Sequence, residues 1–179
     1  MASGNLRDIK RRIKSVNSTE HITNAMKLVS TAKLRKAKST FEKTREYFHY
    51  ITESIEEIFN NATDIPRKYL SGSRDINKTC YIIITSCRGL CGGFNSNIIK
   101  VAGKAMSNDT EKSVIVAVGT KGRDYFRKRS YNIHGEYSAP PESISFMETR
   151  EISKPIIAMY DSGEIDEVVM IYTSFVSTM

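Results

Sequence analysis

Residues 5–65 read NLRDIKRRIKSVNSTEHITNAMKLVSTAKLRKAKSTFEKTREYFHYITESIEEIFNNATDI, without a glycine or a proline. Apolar residues recur in this stretch at steps of three and four, the spacing of one face of an α-helix. The stripe comprises Leu6, Ile9, Ile13, Val16, Ile22, Ala25, Met26, Val29, Ala32, Phe41, Phe48, Ile51, Ile55 and Ile58. The pattern predicts one helix over residues 6–59, about 80 Å long. A small domain cannot cover so long a stripe, so we expect the helix to reach a distant partner.

Charge is unevenly distributed along this predicted helix. Ten basic and two acidic residues lie between Arg7 and Lys38, a net charge of +8 against +7 for the whole chain. The later part of the helix turns acidic through five glutamates between Glu42 and Glu57. The basic half is therefore either a solvated face or a surface that meets acidic groups, whether phosphates or carboxylates.

The hydrophobic pattern of the sequence changes after a predicted linker over residues 61–78, where Pro66 and Gly72 occur. Three apolar runs predict buried strands: TCYIIITS at 79–86, SVIVAVG at 113–119 and EVVMIYTSF at 167–175. Between the first two runs we expect a helix over 95–106, capped by Asn95 or Ser96. Between the second and third runs we expect a short helix over 122–129, a strand over 131–137 and one or two helices over 142–162. Pro155 should stand at the start of the last helix.

These elements predict a chain organised as a long N-terminal coiled-coil helix over residues 1–60, a linker, and a Rossmann-like α/β domain over 79–179. Because strands and helices alternate, the sheet should be mostly parallel with helices on both faces. No apolar run reaches the roughly 18 residues of a membrane span, and the first residues lack the apolar block of a secretory signal. An odd count of three cysteines fits a cytosolic or matrix-like compartment better than a disulfide framework.

The glycine-rich segment after the first predicted strand is RGLCGGFN, Arg88–Asn95. Its glycines at 89, 92 and 93 match neither the dinucleotide fingerprint nor the phosphate-binding P-loop. Two interpretations stay open: a tight strand-to-helix turn, or an anion site at a helix N-terminus.

Other residue types give no catalytic constellation. His21, His49 and His134 are scattered without metal-ligand spacing. Cys87 and Cys91 flank Arg88, which could lower a thiol pKa, but neither has a positioned base or a resolving partner nearby in the sequence. We therefore predict no catalytic residue, no metal and no cofactor.

Two functions of other classes are consistent with parts of the pattern. One is a regulatory nucleotide-sensing domain with a helical dimerisation arm. The other is a nucleic-acid binder that uses the basic helix; it is disfavoured because Ile9, Ile13 and Val16 lie among the charges and no aromatic residue precedes Phe41.

The residues themselves resemble a known family. LRDIKRRIKSV at 6–16, ITNAMKLV at 22–29 and AKLRKA at 32–37 are similar to the first helix of the gamma subunit of F-type ATP synthases. RGLCGGFN at 88–95 is similar to that family's loop after its first strand. In the family a second long helix returns antiparallel to the first, whereas this sequence stops at Met179, so the resemblance implies a fragment whose exposed stripe would allow non-native self-association.

The resemblance implies a non-catalytic rotor subunit of a proton-translocating F-type ATP synthase, the central stalk that couples rotation of the membrane c-subunit ring to ATP synthesis or hydrolysis at the beta subunits. Implied partners are the alpha and beta subunits of the catalytic ring, the epsilon subunit and the c-subunit ring. The implied location is peripheral, on the cytoplasmic face of a bacterial plasma membrane, or on the matrix or stroma side in a eukaryote. The expected contact residues on the shaft are Ile22, Met26, Lys27, Val29, Lys33, Arg35 and Lys36, with the lysines and the arginine facing an acidic loop of beta.

Overall fold

The computed structural model describes residues 2–62, 65, 75–106, 110–140 and 143–177. The chain divides into two compact units, residues 1–65 and 66–179. Most of the predicted linker, including Pro66 and Gly72, lies outside the described residues.

The first unit is one helix, α1, over Ala2–Asn61. The predicted long helix is therefore confirmed, and it continues to Asn61 because no glycine or proline occurs between Asn5 and Asn61. Threonine hydroxyls along α1 donate hydrogen bonds to backbone carbonyls one turn earlier in the same helix. The Thr23 hydroxyl donates to the Thr19 carbonyl at 3.0 Å, and the Thr31 hydroxyl donates to the Lys27 carbonyl at 2.8 Å. Such bonds add no tertiary contact, so the apolar stripe of α1 stays available to a partner.

The second unit is built on a four-stranded sheet with every neighbouring pair parallel. The strands are β1 (Thr79–Ile84), β2 (Ser113–Val118), β3 (Ile133–Tyr137) and β4 (Glu167–Ile171), in the spatial order β3-β2-β1-β4. β1 and β2 lie in the centre, which explains their continuous apolar runs. The predicted α/β fold with a parallel sheet is confirmed.

Helices cover both faces of the sheet. They are α2 (Phe94–Ala105), α3 (Thr120–Arg127) and α4 (Phe146–Ser162). One core cluster contains Ile98 and Ala102 of α2 and Phe126 of α3, packed with Ile83 and Ile115 of the sheet. A second cluster on the other face contains Ile156 and Met159 of α4, with Cys80, Val114 and Val116. Alternate residues of β1 and β2 thus supply two cores.

The bounds of β1, β2, β3 and α3 differ from the predicted ones by one or two residues, and three further local predictions were wrong. The helix start at α2 is capped by Gly93 without a side-chain bond, because the Asn95 side chain turns back toward the end of β1. β4 ends at Ile171 rather than at 175, since its last pair with β1 is Ile83 with Ile171 and β1 itself ends one residue later. Residues 146–162 form one helix that begins at a Ser145–Glu148 capping box, so Pro155 lies inside the helix and not at its start.

Pro155 is tolerated because a side chain from the sheet replaces the hydrogen bond that it removes. Proline lacks an N–H, so the carbonyl of Glu151, four residues earlier, loses its helical donor. The hydroxyl of Tyr137, at the end of β3, donates to that carbonyl at 3.2 Å. Burial, together with the negative charge of Glu151, raises the pKa of Tyr137, so the hydroxyl stays a donor to higher pH than a free tyrosine does.

Replacing Tyr137 with phenylalanine is expected to lower the free energy of unfolding by about 0.5–1.5 kcal/mol, because the Glu151 carbonyl loses its donor. In a Pro155→Ala background the same change should cost less, since the introduced alanine would supply the helical N–H. Chemical denaturation of the four proteins of this double-mutant cycle measures the coupling. Equal costs in both backgrounds would show that Tyr137 does not compensate for the proline.

Candidate interaction surfaces

The apolar stripe of α1 is exposed along its length. From Leu6 to Ala62 every residue except Thr52 is exposed. Among the predicted contact residues, Met26 is 45% exposed, and Ile22 and Val29 are each 58% exposed. An exposed apolar stripe of this length marks an interaction surface.

The predicted contact residues do not all share one face of α1. Ile22, Met26, Val29, Lys33 and Lys36 follow one another at steps of four, three, four and three, so they lie along a single seam. Lys27 and Arg35 fall outside this spacing and lie on the opposite side of the helix. The seam therefore changes from apolar to basic after Val29, and a partner that follows it should place carboxylates beside Lys33 and Lys36.

The loop between β1 and α2 is held by a compact hydrogen-bond network. The Ser86 amide donates to Asn95 Oδ1 at 2.9 Å, and Asn95 Nδ2 donates to Ser86 Oγ at 2.8 Å and to Cys91 Sγ at 3.0 Å. The Ser86 hydroxyl donates to the Arg88 carbonyl at 2.6 Å. Asn95, which was expected to cap α2, thus ties the start of α2 to Ser86 after β1 and to Cys91 in the middle of the RGLCGGFN loop.

Leu90 stands at the tip of this loop in an unusual conformation. Its φ is 61°, in the left-handed region that a leucine rarely adopts, and its side chain is 92% exposed. Arg88 and Gly89 beside it are also exposed, and Gly92, two residues later, has a φ of 56°. The loop was recognisable in the sequence only as a motif, and no residue pattern indicated which side chain it presents.

The three cysteines have different surroundings. Cys80 is fully buried, and burial raises the pKa of its thiol to about 11. Cys87 Sγ lies 3.3 Å from the Ser138 carbonyl, to which the thiol donates, while Cys91 accepts from Asn95. All three are free thiols. Among the residues that the structure describes, no group of three or more histidine, cysteine, aspartate or glutamate residues could hold a metal ion.

The carboxyl ends of β1 and β2 meet at Thr85 and Gly119. The Thr85 amide donates to the Val118 carbonyl at 2.8 Å, and the Gly122 amide donates to Thr85 Oγ1 at 2.9 Å. A Cβ at Gly119 would lie 2.1 Å from the Thr85 carbonyl oxygen, and the φ of Gly119 is 96°. This edge of the sheet, where nucleotides bind in many parallel α/β folds, is therefore occupied by direct backbone packing at this point. In the sequence, this close backbone approach was indicated only by the position of Gly119, immediately after the buried strand β2.

A further apolar surface lies between α4 and β4. Val168 is 40% exposed and Met170 is 54% exposed on one face of β4, and Ile157 of α4 is 56% exposed. The continuous apolar run of β4 predicted a buried strand, and this was wrong: β4 lies at the edge of the sheet, with Val169 and Ile171 toward the core and Val168 and Met170 exposed.

The described residues define a class of protein in which a 60-residue helix with an exposed apolar stripe is followed by a parallel α/β domain. A family model described as ATP synthase matches residues 5–179. The ATP synthase gamma chain of Alkaliphilus metalliredigens is 47% identical over 174 residues, which cover 97% of this chain and 60% of that relative. The sodium ion specific ATP synthase gamma chain of Acetobacterium woodii is 45% identical over 175 residues, 98% of this chain and 57% of that relative.

A third relative, the ATP synthase gamma chain of Clostridium acetobutylicum, is 38% identical over 179 residues, 100% of this chain and 63% of that relative. The chain belongs to the ATP synthase gamma chain family. It spans about 60% of the length of the curated relatives that it matches. No helix among the described residues is both long and apolar enough to cross a membrane.

Proposed function

We propose that this protein is a central stalk subunit of an F-type ATP synthase, in which α1 belongs to the rotating shaft. The observation that carries the proposal is the match to gamma chains over nearly the whole chain, together with a 60-residue helix whose apolar seam is exposed. The relatives share the name of gamma chain, and the geometry of α1 suits a shaft that needs a partner along its length.

The shaft is proposed to stand inside the ring of alpha and beta subunits. Lys33 and Lys36 on the seam would face an acidic loop of beta, and Ile22, Met26 and Val29 would make apolar contact or pack the shaft. Lys27 and Arg35, on the other side of α1, would face a different subunit of the surrounding ring. Each contact must be weak, because a deep energy well at one angle would stall the shaft.

The α/β domain is proposed to sit on the c-subunit ring beside the epsilon subunit, and to pass the rotation of that ring to α1. One relative carries the name sodium ion specific, so the transported ion is a proton or a sodium ion. ATP chemistry is assigned to beta, and this chain serves as a non-catalytic coupling subunit. The proposed location is peripheral, on the cytoplasmic face of the bacterial plasma membrane.

Co-purification tests the proposal. An affinity tag on the natural gene product should bring down the alpha and beta subunits in a complex that hydrolyses ATP. Equilibrium dialysis of the isolated protein against ATP and NAD should show no stoichiometric binding. A chain that binds ATP tightly and leaves alpha and beta behind would instead be a nucleotide sensor.

A further inference from the structure

The exposed apolar residues at the two ends of α1 mirror each other about the middle of the helix. Ala32 lies equally far in sequence from both members of each of four apolar pairs. The pairs are Leu6 with Ile58, Ile9 with Ile55, Ile13 with Ile51, and Val16 with Phe48. These eight residues are called the terminal stripe.

Both ends of the terminal stripe have coiled-coil spacing. At each end the residues follow one another at steps of three, four and three, and Phe48 comes 42 residues, or six heptads, after Leu6. A strict seven-residue spacing keeps both ends on one side of a helix that supercoils left-handedly around a partner. One partner helix can therefore cover both ends of the terminal stripe.

Charge is distributed unequally about the same midpoint. Residues 7–38 carry a net charge of +8. Residues 42–57 contain five glutamates, one lysine and one arginine, a net charge of −3. Two parallel copies of α1 would set the basic segments side by side, whereas two antiparallel copies set the basic segment of each beside the acidic segment of the other. Electrostatics therefore favours the antiparallel orientation.

We propose that two copies of this chain, outside a larger assembly, pair antiparallel through α1 with a two-fold axis at Ala32. The mirror arrangement identifies a second copy as the occupant, because a two-fold interface requires residue i to meet residue j of the partner while j meets i. Each of the four apolar pairs then forms a layer of the interface, and the symmetry repeats every layer once. Glu20 and Lys27 continue the same heptad spacing in the middle of α1, so the two ends contribute most of the apolar contact.

This inference goes beyond the proposed function and does not depend on it. A pair of this kind would cover the terminal stripe of both chains, so it would have to separate before α1 could enter a shaft. Self-pairing and assembly therefore compete for the same residues.

Sedimentation equilibrium of the whole 179-residue chain measures the pairing, and a reversible species of twice the 20.2 kDa chain mass is expected. Ile13→Asn removes an apolar contact from two layers, because Ile13 occurs once in each copy, and should raise the dissociation constant at least about hundredfold. Leu28→Asn is the matched control. Leu28 is 72% exposed on α1 but lies outside the heptad spacing of the terminal stripe, so this change should leave the dissociation constant nearly unchanged.

Disulfide cross-linking tests the orientation in a background with Cys87→Ser and Cys91→Ser, in which the fully buried Cys80 remains. Antiparallel pairing places Ile9 beside Ile55 of the second copy and holds the two copies of Ile9 about 70 Å apart. Oxidation of a mixture of Ile9→Cys and Ile55→Cys chains should therefore give a linked pair with one chain of each kind. Either variant alone should give no linked pair.

A chain that sediments as a monomer, or as a species larger than a dimer, would overturn the proposal and leave the terminal stripe to a different partner. Equal effects of Ile13→Asn and Leu28→Asn would also overturn it, since the terminal stripe would then not form the interface. Linked pairs from Ile9→Cys alone would show a parallel arrangement and overturn the proposed register. None of these outcomes bears on the proposed function, which co-purification with the alpha and beta subunits tests separately.

Discussion

Replacing Gly119 with alanine is expected to destabilise the α/β domain by about 3–5 kcal/mol, a large part of the stability of an ordinary domain. Two costs add. The backbone at a φ of 96° is a conformation that residues with a Cβ avoid, and the new Cβ would lie 2.1 Å from the Thr85 carbonyl oxygen. That oxygen belongs to the backbone at the end of central β1, so it cannot move without disturbing the sheet.

Thermal melting followed by circular dichroism checks this prediction, with two glycines as matched controls. Gly89 and Gly103 have no heavy atom within 4 Å of an added Cβ. Gly103→Ala lies within α2 and should stabilise the protein by roughly 0.5–1 kcal/mol, and Gly89→Ala should change little. A Gly119→Ala protein that melts together with the wild type would contradict the packing described at Thr85.

Replacing Met26 with lysine is expected to impair the coupling between ATP hydrolysis and ion transport. Met26 lies on the exposed seam one turn before Val29 and two turns before Lys33. A lysine there would add a third cation to a seam that is proposed to meet carboxylates of beta. A close ion pair at such an interface is worth up to about 4 kcal/mol before desolvation, and each 1.4 kcal/mol of added well depth slows escape about tenfold.

The measurement is the number of ions pumped per ATP hydrolysed, in membrane vesicles that carry each variant. Met26→Leu is the control because it leaves the charge unchanged and the side-chain volume nearly unchanged. The lysine variant should hydrolyse ATP with a reduced transport yield, and the leucine variant should match the wild type. An unchanged ratio in Met26→Lys would argue that the seam at this level does not face the ring.

The sequence determined most of the fold through two periodicities. Steps of three and four between residues 6 and 58 defined α1, and continuous apolar runs located β1 and β2, which are central and covered on both faces. The ends of elements were less predictable because tertiary partners decide them. β4 is shorter than its apolar run because β1 offers no further pairing, and α4 passes through Pro155 because Tyr137, 18 residues earlier, supplies a donor.

The candidate surfaces were predictable only in part. The contact residues on α1 could be named from the resemblance, but the seven residues proved to lie on two sides of the helix, a distinction that follows from helical spacing. Asn95 was predicted to cap the start of α2, yet its side chain hydrogen-bonds to Ser86 in the preceding loop and not to the helix backbone. The exposure of Leu90 could not be predicted, since no sequence pattern shows that a leucine in a turn points into solvent.

The central claim, that α1 rotates within a ring of alpha and beta subunits, is tested most directly by a reversible cross-link. Met26→Cys in this chain is paired with a cysteine in the acidic loop of beta, in a background with Cys87→Ser and Cys91→Ser. Cys80 can remain because it is fully buried. Oxidation should join the two subunits and abolish ATP hydrolysis, and reduction should restore it. A complex that is fully cross-linked and still hydrolyses ATP at the uncross-linked rate would contradict a rotating shaft.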